Sequence, residues 1–432
     1  MDTIFSSASS YLKSAIKIIR ISGKKSSDLP CILSYKPTKP RVASYRKLYD
    51  LNKNLIDKAI VIYFPGPNTV TGEDIYEIHI HGSLIIERKI YDILNNQEDF
   101  RIAEPGEFTK RAFFNGIIDL TQAEGLNDLI NSETEGQLSL SMSQYEGGLS
   151  QKLNLWREEI VNLLSKLEAI IDFSDEELPS NLEIIFSSKV LYLLTEMKKS
   201  VKSSSFGERL RNGFVITLIG RPNVGKSSLI NFFSDRNVAI VTNEPGTTRD
   251  IIEVLSDFNG FPVLLNDTAG IRESKSKIEK IGIKKALSKA KNSDVVLLLS
   301  DKDDFIIPNL KVSQKIICVH TKTDLNKTKL NHAHPISIKN NEGIEELVNM
   351  ITKHFHSLSP RENAYLTKQR HIQGVKKSIL ALQRLTKVKL NINPELAAED
   401  LRIAATSIGS ITNIIDVEEI LDDIFNSFCI GK

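Results

Sequence analysis

Residues 220–227, with the sequence Gly-Arg-Pro-Asn-Val-Gly-Lys-Ser, constrain the fold of this chain more than any other feature. An apolar run at residues 214–219 before them is typical of a buried strand, and residues 228–233 after them are typical of a helix. A glycine-rich turn in this position directs backbone N–H groups at phosphate oxygens beside the N-terminus of the helix. In this motif Lys226 reaches the β- and γ-phosphates, and the hydroxyl of Ser227 binds Mg²⁺. The sequence therefore predicts a binding site for a nucleoside triphosphate.

Three later segments lie at the spacing found in GTPases. An apolar run ends at Asp267, where a carboxylate holds Mg²⁺ through water, and the N–H of Gly270 follows closely enough to sense the γ-phosphate. The polar loop before this run offers the hydroxyl of Thr248 as a second ligand for Mg²⁺. A further apolar run leads to Asp324, whose carboxylate accepts two hydrogen bonds from the guanine edge, and residues 337–339 close the base pocket. Adenine lacks those two donors, so the order of the segments favours GTP over ATP.

The predicted GTP site draws on the P-loop, the polar loop after it, the Asp-Thr-Ala-Gly segment and the two base-recognition segments. Its members are Asn223, Val224, Gly225, Lys226, Ser227, Ser228, Thr242, Asn243, Glu244, Pro245, Gly246, Thr247, Thr248, Asp267, Thr268, Ala269, Gly270, Thr321, Lys322, Thr323, Asp324, Ser337, Ile338 and Lys339.

Composition limits the alternatives. The 432 residues suffice for two or three domains, each with its own core. The 56 basic and 54 acidic side chains nearly cancel, so any contact with RNA must come from a local patch rather than from overall charge. Cys31, Cys318 and Cys429 are far apart and odd in number, which is typical of the reduced cytoplasm. Since no apolar run approaches the length of a membrane span, we expect a cytoplasmic protein without a membrane segment.

The first 117 residues mix short strands and turns and predict an α+β module without a P-loop. Residues 15–22, 58–64 and 75–81 are β-branched or alternating runs typical of strands. His79 and His81 lie on the same face of the third run, a spacing that can bind a metal. No third ligand lies nearby in the sequence, so ordinary packing or hydrogen bonding is the favoured interpretation.

Helical periodicity begins after residue 117. Residues 119–130 and 151–172 carry apolar side chains at helical spacing, which indicates a core stripe rather than a cofactor site. The serine run 203–205 and residues 211–213 predict a hinge into the nucleotide-binding part. That part, residues 213–356, alternates strands and helices in the manner of a doubly wound parallel sheet.

Helical periodicity returns after residue 356, so the nucleotide-binding domain is predicted to be inserted into an all-α domain. The predicted fold class is multidomain α/β, with domains at residues 1–117, 118–212, 213–356 and 357–432, the second and fourth forming one helical domain.

Residues 64–77 and 103–116 are long matches to one family, and the last five residues, Phe-Cys-Ile-Gly-Lys, match its C-terminus. Together with the GTPase segments, they make the chain similar to the bacterial tRNA modification GTPases of the MnmE (TrmE) family. The chain differs from the usual pattern at Thr321, where most GTPases have Asn, and Ile271 stands where Ras-like enzymes have the glutamine that orients water.

The resemblance implies that residues 1–117 resemble a tetrahydrofolate-binding fold, pair into a constitutive homodimer and hold 5-formyl- or 5,10-methylene-tetrahydrofolate. The family's folate contacts fall on Arg20 and Glu77, and its C-terminal tail brings Lys432 and Cys429 toward the folate, which makes Cys429 a candidate catalytic group. The lysine that most relatives carry after an Asn-Gly pair is Ile117 here.

For the GTPase, the resemblance implies that Glu279 is the catalytic residue that positions the attacking water. It also implies a K⁺ ion in place of an arginine finger. The ion would be held by Asn223 and enclosed by a loop that contains Thr242, Glu244 and Thr247. The G domains of two subunits would meet when the ion binds.

The implied function is K⁺-dependent GTP hydrolysis in the addition of an aminomethyl or carboxymethylaminomethyl group to C5 of the wobble uridine, position 34, of certain tRNAs. The implied partner is an FAD protein of the MnmG type, in a heterotetramer. Two alternatives stay open: an RNA- or ribosome-associated GTPase of the Era or Der type, and a folate-dependent one-carbon transferase with a regulatory G domain. The sequence lacks the basic KH-like motif expected for the first, and a failure of residues 1–117 to bind folate would weaken both the tRNA-modification and the transferase hypotheses.

Overall fold

The computed structural model describes residues 2–9, 12–172, 182–236, 253–267, 290–305, 314–325, 330, 332–360, 365–387, 393–413, 424–425, 428 and 431. The chain forms two compact units, Met1–Asn127 together with Gly409–Lys432, and Asp128–Ile408. Each unit contains a six-stranded sheet. Among the helices in these described ranges, none combines the length and the apolar composition needed to cross a bilayer.

The first unit is an α+β arrangement, as the alternation of its apolar residues predicts. Its strands are β1 Thr3–Ser7, β2 Ile16–Ser22, β3 Ser44–Tyr49, β4 Leu55–Phe64, β5 Ile75–His81 and β6 Phe100–Ile102. The helices up to residue 130 are a 3₁₀ turn at Lys24–Asp28, α1 Leu29–Ile32, α2 Leu84–Asn95, α3 Glu107–Phe114 and α4 Leu120–Ile130. The strand order is β3-β4-β5-β2-β1-β6, in which β1 and β6 are parallel and the other neighbours are antiparallel.

The two faces of this sheet have different roles. Ile19 of β2 and Ile78 of β5 are fully buried and contribute to one core with Ile90 of α2. Arg20 directly follows Ile19 and Glu77 directly precedes Ile78, so both occupy the opposite face, because side chains alternate along a strand. The sheet thus holds the two predicted folate residues away from the core.

The second unit contains the P-loop. Its elements are α5 Glu135–Tyr145, α6 Gly148–Asp172, α7 Leu182–Asn212, β7 Phe214–Gly220, α8 Lys226–Arg236, β8 Glu253–Phe258, β9 Phe261–Asp267, β10 Val295–Ser300, β11 Lys315–His320, β12 His334–Pro335, α9 Ile344–Leu358, α10 Gln369–Leu385 and α11 Pro394–Thr412. The strand order is β12-β11-β10-β7-β9-β8, and only β8 runs antiparallel to its neighbour. The predicted strand before the P-loop, the helix after it and the parallel pairing of β10 and β11 are confirmed.

An aromatic cluster fixes this sheet against α9. The rings of Phe214 and Phe355 stack with centroids 4.1 Å apart, and Phe261 meets both rings at 5.6–5.7 Å. Since β7, β9, β10 and β11 are parallel, their carboxyl ends meet at one edge of the sheet. That edge is where ligands bind in open α/β sheets.

The sequence predicted a hinge that begins at serines 203–205, and this part of the prediction is wrong, because α7 continues through them to Asn212. The hydroxyl of Ser203 donates to the carbonyl of Ser200 at 2.9 Å, and the hydroxyl of Ser204 donates to that of Val201 at 2.8 Å. These local bonds satisfy the serines inside the helix. The neighbouring Phe206 is buried, so packing outweighs the weak helix propensity of the serine run.

Candidate functional site

The P-loop connects β7 to α8 and folds around its lysine. The ammonium of Lys226 donates to the carbonyls of Gly220 and Arg221, each at 2.8 Å, and the side chain is largely buried. Asn223 and Gly225 have φ of 61° and 102°, which lie in the left-handed region. A Cβ added to Gly225 would meet nothing within 4 Å, so the loop is open at that point. A positive charge beside an open loop at a helix N-terminus fits a bound phosphate group.

The first base-recognition segment is bonded to the P-loop. The hydroxyl of the buried Thr321 donates to the carbonyl of Val224 at 2.8 Å. The ammonium of Lys322 donates to the carbonyl of Asn223 at 2.6 Å. Thr321 thus supplies a side-chain donor to the P-loop at the position where most GTPases carry Asn.

Asp324 is held by the second base-recognition segment. The buried hydroxyl of Ser337 donates to Asp324 Oδ1 at 2.9 Å, and the N–H of Thr323 bonds to the carbonyl of Ile336 at 3.3 Å. Ile338 and Lys339 follow Ser337 directly. A carboxylate oriented in this way by one hydroxyl presents an acceptor to the two N–H groups of guanine.

The loop after β10, residues 301–304, is acidic and contacts both the P-loop and the first base-recognition segment. It was not predicted from the sequence. Arg221 of the P-loop pairs with Asp304 at 2.7 Å, and Asp304 accepts a 2.5 Å hydrogen bond from Ser300. Asp301 lies 3.3 Å from the ammonium of Lys322. The available signal was three aspartates at the carboxyl end of a central parallel strand, the edge where ligand-binding loops meet.

Several predicted site residues lie outside the described residues. These are Thr242, Asn243, Glu244, Pro245, Gly246, Thr247, Thr248, Thr268, Ala269, Gly270, Glu279, Cys429 and Lys432. Asp267 ends β9, and its side chain also lies outside the described part. Two of the predicted Mg²⁺ and K⁺ ligands are described. Ser227 is the second residue of α8, and Asn223 lies in the P-loop.

The two described folate candidates are brought together. Arg20 and Glu77 are paired across β2 and β5, and Arg20 Nε and Nη2 donate to Glu77 Oε1 at 3.0 and 2.8 Å. The guanidinium also lies 5.8 Å from the centroid of the Phe108 ring. About one fifth of each paired side chain is exposed, so the pair is reachable by a ligand that carries both donors and a carboxylate.

The described residues of the C-terminal tail pack within the same unit. Gly431 has φ of 99°, and a Cβ added to it would lie 2.0 Å from the carbonyl oxygen of Ser7. Ser7 ends β1, whose residue Ser6 pairs with Arg20 of β2. Gly431 therefore lies beside β1, the strand that pairs with the strand of Arg20.

A buried ion network, also missed from the sequence, lies in the same unit. Arg111 of α3 donates to Glu73 at 3.0 Å and to Glu107 at 3.1 Å. Burial alone would raise the pKa of Glu107, but hydrogen bonds from Arg101, the backbone of Glu104 and Arg111 outweigh it and lower that pKa. A cavity of about 540 Å³ next to this network is lined by Lys24, Gly66, Gly72, Glu73, Asp74 and Asn115.

His79 and His81 have separate carboxylate neighbours. His81 Nδ1 lies 2.8 Å from Asp57 Oδ1, and His79 Nε2 lies 3.5 Å from Glu77 Oε2. Each imidazole is therefore oriented by a different carboxylate, which favours hydrogen bonding over a shared metal site.

Two family models match the chain. Residues 3–117 match the model described as GTP-binding protein TrmE N-terminus, and residues 120–429 match the MnmE helical domain. The tRNA modification GTPase MnmE of Rickettsia prowazekii (strain Madrid E) is 41% identical over 448 residues, which cover 100% of each chain. That of Brucella anthropi is 40% identical over 436 residues, which cover 100% of this chain and 98% of the relative.

Among solved structures, the G domain of the T. maritima FeoB iron transporter aligns with 33% of this chain and 98% of its own, at 26% identity. Its TM-score of 0.26 is too low to support a conclusion. The family models and the full-length relatives are sufficient: the chain belongs to the MnmE family of tRNA modification GTPases.

Proposed function

We propose that this protein hydrolyses GTP in a K⁺-dependent reaction that supports modification of the wobble uridine of certain tRNAs. The observation that carries the GTP assignment is the joint placement of Thr321 on the P-loop and of Asp324 against Ser337. Through these two bonds, the carboxylate of Asp324, which would accept from guanine, is positioned relative to the P-loop, which would hold the phosphates. Family membership supports the link to tRNA.

In the proposed mechanism the chain mainly positions groups and supplies charge. Lys226 lies where it can exchange its bonds to the loop carbonyls for bonds to the β- and γ-phosphates. The hydroxyls of Ser227 and Thr248 would hold Mg²⁺, with Asp267 acting through water, and the N–H of Gly270 would sense the γ-phosphate. When bound, Mg²⁺ and K⁺ supply positive charge where the phosphoryl oxygens become more negative.

The K⁺ site would draw on Asn223, Thr242, Glu244 and Thr247. Asn223 lies in the P-loop, and its side-chain amide oxygen is an acceptor that a cation can bind. Glu279 would orient the attacking water, a role that Ile271 cannot fill because its side chain forms no hydrogen bond.

The modification half rests on the first unit. Arg20 and Glu77 would hold a formyl- or methylene-tetrahydrofolate, which supplies a one-carbon unit when bound, and Lys432 and Cys429 would approach it from the tail. Gly431 beside Ser7 supports this arrangement. Ile117 provides no cation there, so Arg20 carries more of the electrostatic attraction for the folate carboxylates. We further propose a homodimer that works with an MnmG-type FAD protein in the cytoplasm.

The finer architecture belongs to the same proposal: a tetrahydrofolate-binding-like first domain and an all-α domain into which a doubly wound G domain is inserted. The alternative from another class, a one-carbon transferase with a regulatory G domain, differs in one respect. In that case folate-dependent transfer would continue when GTP hydrolysis is blocked.

The first experiment compares GTP hydrolysis by the purified chain in KCl and in NaCl at equal ionic strength. We expect hydrolysis at least about tenfold faster in KCl, since a fixed cation stabilises the transition-state charge. The Lys226→Ala variant should be inactive in both salts. Equal rates in the two salts would refute the K⁺ assignment, and no hydrolysis in either would refute the GTPase.

The second experiment measures wobble uridines by mass spectrometry in tRNA from cells that lack this protein. Modified uridine at position 34 should disappear and return with the intact gene. It should not return with the Lys226→Ala variant. Restoration by that variant would favour the transferase alternative.

A further inference from the structure

The turn between β8 and β9 is bonded to the N-terminus of α5. The N–H of Gly136, in the first turn of α5, donates to the carbonyl of Gly260 at 2.9 Å. Asn259 and Gly260 form the turn, with φ of 51° and 90°. A Cβ added to Gly136 would lie 2.5 Å from that carbonyl oxygen, so the approach requires glycine at this position. We call the pair Gly136 and Gly260 the turn contact.

One side of the turn contact leads to the predicted nucleotide loops. β8 begins at Glu253, five residues after Thr248. β9 ends at Asp267, which is the first residue of the Asp-Thr-Ala-Gly segment. The two strands pair without a register shift, from Glu253 opposite Asn266 to Phe258 opposite Phe261. This continuous pairing gives a direct hydrogen-bonded connection from the ends of the two strands to the turn.

The other side leads into the helices. The side chain of Gln137 completes a capping box with Thr134 and donates to the carbonyl of Arg211, at the end of α7, at 2.9 Å. Gln144, near the end of α5, donates to the hydroxyl of Thr367 at 2.9 Å, just before α10. A shift of α5 therefore acts on both α7 and α10.

The surroundings of the turn contact leave room for movement. A cavity of about 600 Å³ lies beside it, and its lining includes Ser139, Asn259, His356 and Tyr365. Displacing the turn toward this cavity would disrupt less close packing than displacement within a filled core. The contact thus joins two rigid elements next to unfilled space.

We propose that the turn contact couples the nucleotide state of the loops to the position of α5, α7 and α10. The inference rests on the proposed GTP binding and adds the route by which the nucleotide acts on the helices. Coupling of this kind is reciprocal: if the nucleotide changes the contact, then breaking the contact changes the relative affinities for the nucleotides.

The test measures the dissociation constants of GDP and a non-hydrolysable GTP analogue for the full chain. In Gly136→Ala the ratio of the two constants should change by at least about fivefold relative to the unsubstituted chain. Ser139→Ala, on the same helix and the same cavity wall, should leave the ratio unchanged. An unchanged ratio in Gly136→Ala overturns the coupling while leaving GTP binding intact. Failure of the unsubstituted chain to bind either nucleotide overturns both proposals.

A second variant decides the matter if Gly136→Ala does not fold. A Cβ added to Gly260 would lie 3.8 Å from Glu135 Cβ, within the range of a disulfide. In Glu135→Cys/Gly260→Cys, the ratio of the two dissociation constants should differ between the oxidised and the reduced protein. Any strain from the substitution of Gly260 is present in both states and does not affect this comparison. The Glu135→Cys single variant controls for oxidation of the native cysteines. Equal ratios in the two states of the double variant would overturn the proposal.

Discussion

The hydroxyl of Thr321 bonds to the carbonyl of Val224 over 2.8 Å, and both groups are buried. This bond joins the loop that would read the base to the loop that would hold the phosphates. Asparagine, the usual residue here, offers an amide donor, whereas threonine offers a hydroxyl on a shorter side chain. The shorter donor still reaches the P-loop, so the substitution preserves the connection.

Removing only this hydroxyl should weaken nucleotide binding. In Thr321→Val, the carbonyl of Val224 loses its donor at nearly constant side-chain volume, at a cost of about 1 kcal/mol. We expect the affinities for GDP and GTP to fall by about fivefold. Fluorescence titration with labelled nucleotides measures this. Thr321→Ser keeps the donor and should bind normally, and equal losses in the two variants would contradict the role of the hydroxyl.

Guanine recognition by Asp324 predicts a change of base preference. In Asp324→Asn one carboxylate oxygen becomes an N–H₂ donor, which no longer accepts from guanine but can donate to the O2 carbonyl of xanthine. The affinity for GTP should fall at least about a hundredfold, and the affinity for xanthosine triphosphate should rise. Competition titrations with the two nucleotides measure both changes. Retained preference for GTP would show that Asp324 does not contact the base.

The sequence predicted those parts of the site that are local in the chain. The strand, turn and helix around Lys226 follow from consecutive residues, so their placement needed no knowledge of distant contacts. The pairs of Arg221 with Asp304 and of Arg111 with Glu73 join segments far apart in the chain, and they depend on which loops meet at a sheet edge. The residue types alone do not predict which of these loops come into contact.

The serine run in α7 illustrates the opposite error. The serine run predicted the start of a hinge, yet the helix continues through it, packed by buried neighbours such as Phe206. Burial of this kind becomes visible only once the tertiary packing is known.

The Glu107 network predicts acid sensitivity of the first unit. The pKa of Glu107 is lowered from 4.5 in the folded state, so its stabilising contribution is present above about pH 4.5 and is lost as the pH falls through the folded value. In Glu107→Gln, Arg101 and Arg111 lose a buried partner, so we expect a loss of about 3 kcal/mol at neutral pH and a shallower decline in acid. Calorimetry of the full chain between about pH 7 and about pH 3 tests this.

The matched control for that variant is Glu104→Gln, which changes an exposed carboxyl three residues away. It should unfold like the unsubstituted chain at each pH. If Glu107→Gln showed the same steep acid dependence as the unsubstituted chain, the sensitivity would have to come from other carboxylates.

The position of Gly431 predicts how the C-terminal tail affects the folate candidates. Gly431→Ala adds a Cβ that would lie 2.0 Å from the carbonyl oxygen of Ser7, at a φ of 99° that disfavours any side chain. The strain of about 1–3 kcal/mol should displace Gly431 from β1 and so disturb the proposed approach of Lys432 to the folate. Folate affinity, measured by calorimetric titration with 5-formyl-tetrahydrofolate, should therefore fall by about tenfold or more. The GDP affinity should not change, because Gly431 and the P-loop lie in different units. Asn413→Ala, an exposed change in the same unit, should leave both affinities unaltered. Normal folate binding by Gly431→Ala would mean that the tail contributes nothing to that site.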